Sequence, residues 1–186
     1  AKRAEHIPLQ QLTGEQEFMG LTFSVNEHVL IPRQDTEVLV EEVMKNLHDG
    51  FRILDLCTGS GCILLSLLHY SNDCSGVGAD LSEEALEVAR KNAEQLGESS
   101  ALFVQGDLFA PVEGKFEIIV SNPPYICSDV IPTLMEEVRE HEPMQALDGG
   151  AEGEAVQRLM EQAGYREVEC VQDFAGLDRV VFGTLW

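Results

Sequence analysis

Asn122-Pro123-Pro124-Tyr125 is the stretch of this sequence with the most definite chemistry. Two consecutive prolines fix the backbone and remove two N–H donors, so the carbonyls there are free to face a substrate. The Asn122 carboxamide and one such carbonyl make two acceptors for a planar NH₂ group, and the Tyr125 ring can stack on that plane. Such a set describes a holder for a conjugated amide or an amino-purine nitrogen. That nitrogen is a poor nucleophile, because its lone pair is delocalised. Gripping both N–H bonds aims the lone pair at an electrophile for in-line displacement. No general base is needed before transfer, since the proton becomes acidic only as the new bond forms. The plainer account is a rigid turn.

Three segments upstream suggest the electrophile. Asp55-Leu56-Cys57-Thr58-Gly59-Ser60-Gly61 stands between a compact apolar run and an apolar helix. Glycines there let the backbone turn sharply and approach a ligand where no Cβ would fit. The helix start offers free N–H groups to an anion. A dinucleotide fingerprint needs a third glycine where Leu64 stands, and a phosphate-binding loop needs Gly-Lys-Ser/Thr; both are missing. What remains fits the glycine loop of S-adenosylmethionine-dependent methyltransferases, with Cys57, Thr58, Gly59, Ser60 and Gly61 as candidate cofactor residues. A merely tight strand–helix turn is the alternative. Asp80, followed by Leu81, ends the second strand and is placed to accept both ribose hydroxyls. It could equally help Ser82 cap the next helix. Gly106-Asp107-Leu108 ends the third strand. Asp107 could accept from the exocyclic amine of adenine, and Leu108 could pack on the ring. Each feature alone is a common turn. Three at successive strand ends are stronger, because ligands bind at the carboxyl ends of open α/β sheets.

The elements that position them follow from periodicity. Phe18–Pro32 reads as a short hairpin and Thr36–Leu47 as a helix stopped at Gly50. An α/β rhythm follows: strand Phe51–Leu56, helix Cys62–His69, strand Gly76–Asp80, a helix from Ser82 to Gly97, strand Ala101–Gln105 and strand Phe116–Ser121. This alternation implies a parallel sheet covered on both faces. Glu154–Gly164 reads as an amphipathic helix, and Glu167–Gln172 with Arg179–Gly183 as an antiparallel pair. No apolar strand is visible between Ser121 and that helix. A sheet strand is therefore missing, and a chain break is expected near Gly150–Gly153.

Composition narrows the function. The chain of 186 residues has 33 Asp and Glu against 12 Lys and Arg, a net charge of −21. Phosphate-binding surfaces need clustered cations, so DNA, RNA and anionic membranes are poor partners. No run is long enough to span a membrane and no export signal is visible, which points to the cytoplasm. The scattered cysteines, Cys57, Cys62, Cys74, Cys127 and Cys170, contain no Cys-x-x-Cys pair. They read as reduced, buried thiols, with no metal site.

With these motifs the chain resembles the HemK/PrmC group, which methylates a glutamine amide in peptide-chain release factors. The resemblance runs through Leu12-Thr13-Gly14, Glu17-Phe18, Leu30-Ile31-Pro32-Arg33-Gln34-Asp35-Thr36-Glu37, the glycine loop, and Ser121 to Ile126. It continues through Glu142-Pro143, Ala146-Leu147, Gly153 to Val156 and Asp178 to Val180. Asn-Pro-Pro-Tyr alone is shared with adenine-specific DNA methyltransferases, the alternative reading. The Ile-Pro-Arg-x-Asp-Thr-Glu segment points instead to the release-factor enzymes, where it sits beside the cofactor pocket. Arg33 and Glu37 are thereby candidate functional residues, although Arg33 and Asp35 solvated at an ordinary helix start fit equally well. The resemblance implies a Rossmann-like class I methyltransferase of residues 15–186, its sheet mostly parallel with a terminal antiparallel strand and a small N-terminal β-hairpin. Residues 1–14 are expected to be a linker or the last part of an N-terminal helical domain. The cofactor is expected to be S-adenosylmethionine and the partner a release factor. Relatives carry Gly at the Cys57 position, a change expected to be harmless if the backbone there is regular.

Overall fold

In the computed structural model the described residues are 6–150, 161, 164, 166–172 and 178–184. A short helix, Leu9–Thr13 (α1), opens the described chain and closes on left-handed Gly14. No period in the sequence announced it, because one turn and a half is too short to show one. Glu15–Phe18 (β1) and Leu21–Ser24 (β2) then pair antiparallel. Their two-residue turn, Met19-Gly20, has positive φ at both positions (52° and 72°), the twist that suits a tight hairpin. The hairpin therefore starts before Phe18 and ends well before Pro32. Phe18 and Phe23 are buried beneath it.

Gln34–Met44 (α2) follows. Arg52–Leu56 (β3), buried at every residue after Arg52, is the continuous apolar run of a strand covered on both faces. It leads into Cys62–His69 (α3), whose seven residues from Cys62 to Leu68 are all buried. A helix apolar all round belongs in the interior, and α3 packs among α2, α4, β3 and β4. Ser75–Asp80 (β4) precedes Glu83–Leu96 (α4). The Ser82 hydroxyl caps α4 by accepting the Ala85 N–H at 3.1 Å. Gly97 ends it in the left-handed conformation. Ala101–Gln105 (β5) and Ile118–Ser121 (β6) complete a four-stranded parallel sheet of order β5-β4-β3-β6.

Beyond Ser121 lie two strands too short for periodicity to reveal, Ile126–Cys127 (β7) and Asp148–Gly150 (β8), which pair in parallel. A 3₁₀ turn at Ile131–Thr133, Glu136–His141 (α5) and Met144–Leu147 (α6) connect them. Arg166–Gln172 (β9) and Asp178–Thr184 (β10) pair antiparallel as expected, in a two-stranded sheet of their own. The helix read at Glu154–Gly164 falls mostly, and the break expected at Gly150–Gly153 falls beyond Gly150, outside the described residues.

Alternation along β3 sends Ile53 to one face of the sheet, with α3, Phe18 and Phe23. Leu54 and Leu56 go to the other, where Val112 and Phe116 of the β5–β6 connection cover them. All five cysteines are free thiols. Only Cys62 and Cys74 are buried; Cys57, Cys127 and Cys170 are half-exposed, which corrects the expectation of five buried ones.

Candidate functional site

Strand register brings the expected site residues to one edge. Leu56 pairs with Ala79 on one side and Ser121 on the other, and Asp80 pairs with Gln105. The residues that leave the sheet next are therefore Cys57, Leu81, Asn122 and Gly106, on strands roughly 4.8 Å apart. The strand order reverses between β3 and β6, and that crevice is where open α/β sheets take ligands. The glycine loop stands on one side of it and Asn122–Tyr125 on the other.

The glycine loop is held from below and behind. Thr58 donates its N–H to the Ala79 carbonyl at 3.1 Å, and Gly61 donates to the Thr58 carbonyl at 2.8 Å. Gly59 and Gly61 both lie in the left-handed region (55° and 78°), which glycine enters without penalty. Asn92 of α4, fully buried, donates to the carbonyls of Ser60 (2.9 Å) and Ser24 (3.1 Å), and accepts the Ser24 N–H (2.7 Å). The N-terminal hairpin thus braces the loop through one side chain. Sequence reasoning passed over Asn92, although its place among Ala85, Leu86, Ala89 and Ala93 on the buried face of α4 is the signal. A polar group there needs partners.

Cys57 corrects an expectation. Its φ is +59°, in the left-handed region, so the backbone there is not regular and a residue with a Cβ is strained. Burial pushes its thiol up to about 11, although the neighbouring Ser121 hydroxyl pulls it down. It stays protonated at neutral pH and is no nucleophile. Ser121 in turn donates to the Leu56 carbonyl at 2.9 Å.

Two carboxylates flank the loop. Asp80 accepts the Gly59 N–H at 2.8 Å on one oxygen and the Ser82 N–H at 3.0 Å on the other. The helix-capping expectation is met by the Ser82 contact, and each carboxylate oxygen keeps a further lone pair. Asp55 is wholly buried. Its Oδ2 accepts from the Thr58 hydroxyl at 2.6 Å, and its Oδ1 has no hydrogen-bond partner among the described residues. Burial, with Asp80 nearby, pushes its carboxyl up to about 7. A buried acid in this state is stabilised by a cation placed at the loop.

The other strand ends offer apolar surface. Leu81, Leu108 and Phe109 are about half exposed beside Asp107. The Gln105 carboxamide donates to the Leu81 carbonyl at 3.2 Å, and Gly106 donates to the Asp80 carbonyl at 2.9 Å, so the ends of β4 and β5 are tied together. Tyr125 is 58% exposed. The Asn122 carboxamide makes no hydrogen bond among the described residues, so both its polar ends can meet a ligand.

Of the segment before α2, Arg33 is not simply solvated. It forms an ion pair with Glu142, whose side chain is 1% exposed. Glu37 is structural, accepting the Met19 N–H of the hairpin turn at 2.7 Å. A cleft of about 400 Å³ between α4 and β5 lies away from these loops, lined by Arg90, Glu94, Glu98 and Phe103 among others. Its lining holds none of the candidate residues. Among the described residues no group of three His, Cys, Asp or Glu could hold a metal, and no helix is long and apolar enough to cross a membrane.

The family model of the methyltransferase small domain matches residues 33–151. A release factor glutamine methyltransferase of Geobacter sulfurreducens is 38% identical over 216 positions, covering 100% of this chain and 76% of that protein. The chain belongs to the release factor glutamine methyltransferase family. The relative of that name from Agrobacterium fabrum is 45% identical over 86% of this chain, which spans 57% of the relative's length. The Geobacter match runs over 216 positions against 186 residues here, so at least 30 of its positions face no residue of this chain. Among solved structures, the ribosomal protein L11 methylase of Lactobacillus delbrueckii superposes with a TM-score of 0.58 at 18% identity, over 84% of this chain and 80% of that one. That likeness shows the class I S-adenosylmethionine-dependent methyltransferase fold.

Proposed function

We propose that this chain transfers a methyl group from S-adenosylmethionine to the side-chain amide nitrogen of a glutamine in peptide-chain release factors. The observation that carries the reading is the crevice itself. An Asn122 carboxamide without a hydrogen-bond partner among the described residues, two prolines and an exposed Tyr125 face a glycine loop across the point where strand order reverses, in a chain whose relatives bear that activity in their names.

The residues fit the cofactor. Its sulfonium and ammonium groups are cations, and they would favour the charged form of the buried Asp55 beside the loop, whose Oδ1 has no hydrogen-bond partner among the described residues. Thr58 to Gly61, with Cys57 at the turn, would hold the methionine end. Asp80 would accept the ribose hydroxyls, with Leu81 beside it. Asp107 and Leu108 would hold the adenine. When bound, S-adenosylmethionine supplies an electrophilic methyl group. The chain's own part is to orient the nucleophile. Asn122 Oδ1 and a carbonyl of the Pro123-Pro124 pair would accept the two amide N–H bonds, and the Tyr125 ring would stack on the amide plane. Both acceptors pull hardest as the nitrogen gains positive charge, so they favour the transition state over the ground state. Net charge −21 suits a protein partner better than the phosphates that an adenine-methylating enzyme must face.

Incubating the chain with labelled S-adenosylmethionine and purified release factors, followed by peptide mass spectrometry, tests this. Label on a single glutamine is the expected result. Label on an adenine base, or none on any glutamine, overturns it.

A further inference from the structure

The segment from Glu142 to Gly150 runs alongside Asn122–Tyr125 and is tied at both ends. At its start the buried Glu142 carboxylate pairs with Arg33. Leu147 is buried midway. At its end β8 pairs with β7, the strand that leaves Tyr125. Ile126 faces Asp148, but Cys127 faces Gly150, so one step on β7 is matched by two on β8. Gly149 is the extra residue, a bulge. The Ser128 hydroxyl clips the register by donating to Asp148 at 2.7 Å.

A Cβ on Gly149 would stand 2.7 Å from the Pro124 carbonyl oxygen, 2.8 Å from Tyr125 Cα and 3.1 Å from the Pro124 carbonyl carbon. All three are backbone atoms, so no rotamer change relieves the clash. The backbone of the holder or of β8 would have to move, and either shift changes how the two lie together. The φ of Gly149 lies outside the left-handed region, so glycine is required here for space alone.

We propose that Gly149 is a positioning residue for methyl transfer: its missing side chain lets β8 lie against the Pro124–Tyr125 peptide and so sets where the prolyl carbonyls and the Tyr125 ring stand. This rests on the function proposed above. A productive site tolerates about half an ångström of displacement, and clearing a 2.7 Å contact consumes most of that tolerance.

The test is Gly149→Ala, assayed with S-adenosylmethionine and a short glutamine-containing peptide. Turnover should fall roughly 10–100-fold, the cost of a sub-ångström to one-ångström misplacement. Cofactor affinity by calorimetry should stay within about twofold, since no contact of the glycine loop changes. In NMR spectra the Tyr125 and Ile126 amides should shift while Thr58 to Gly61 do not. Ser128→Ala, at an exposed site, loosens the same register and should lower turnover by about two- to fivefold with cofactor affinity unchanged. It decides the matter if Gly149→Ala does not fold. Unchanged turnover in folded Gly149→Ala, or in Ser128→Ala where that variant decides, overturns the inference. So does a matching loss of cofactor affinity. If the unaltered chain methylates no glutamine, the proposed function fails, and the amide shifts still judge Gly149: unmoved Tyr125 and Ile126 signals overturn its role.

Discussion

Around the glycine loop every anchor comes from deep in the fold: Ala79 in the sheet, Asn92 on α4, and the hairpin through Ser24. Asn122 leaves the central sheet at the end of β6, but from Tyr125 onward the anchors are short and peripheral: a two-residue strand, a three-residue strand, a hydroxyl clip and a half-exposed arginine. The contrast follows from what each side must hold. A cofactor is the same at every turnover, so a rigid loop built on the sheet costs nothing in adaptability. On the proposed function a glutamine arrives on another protein, and its holder must stand where that protein can reach it. Strong supports on one side and slight ones on the other mean that most substitutions on the Asn122 side should change turnover without touching cofactor affinity.

Breaking the contrast starts with Asn122→Ala, the largest expected effect. Turnover should drop about 10²–10³-fold, or roughly 2–4 kcal/mol, as for other preorganised polar groups. Cofactor affinity should hardly change. Single-turnover rates beside a cofactor titration separate the two, and a rate equal to the unaltered protein's removes Asn122 from the chemistry.

Asp80→Ala should show the opposite pattern. Losing the acceptor of the Gly59 N–H and, on the proposed function, of the ribose hydroxyls should weaken cofactor binding by about 1–3 kcal/mol. Calorimetry reads this directly, and unchanged affinity would cancel the assignment.

A pH series sharpens the rigid side. The Asp55 carboxyl, held up at about 7 by burial against an ordinary 3.8, binds its proton more tightly folded than unfolded. Its contribution to stability is therefore fully present below about pH 4 and is lost as pH rises through about 7. Denaturant unfolding of the ligand-free protein across that window should show the loss, and Asp55→Asn should flatten it. The same slope in both proteins would assign the effect elsewhere.

The smallest effect tests the loop's strain. Cys57→Gly should stabilise the fold by about 0.5–1 kcal/mol, since the left-handed penalty of a Cβ outweighs glycine's extra unfolded-state entropy. Cys57→Ala keeps the Cβ and should gain nothing. Equal stability of the Gly and Ala variants would mean that the +59° backbone stores no strain.

The sequence by itself determined the strand–helix alternation, the helix from Cys62 to His69 to the residue, and the strand ends where Cys57, Asp80, Asp107 and Asn122 stand. Those features are local. Apolar periodicity, a serine cap and glycines at turns act over a few residues and need no distant partner. Only the tertiary structure decided what touches those ends. Asn92 reaches Ser24 across 68 residues, Arg33 reaches Glu142 across 109, and the glycine at 149 matters because Pro124 lies against it. None of these pairings leaves a period in the chain, because contact between distant segments depends on how the sheet and its covering layers pack. The backbone of Cys57 was likewise out of reach: side-chain type does not reveal that a residue with a Cβ sits at positive φ. The short strands β7 and β8 escaped for the same reason, since two or three residues form a strand only when another segment is already beside them to share hydrogen bonds.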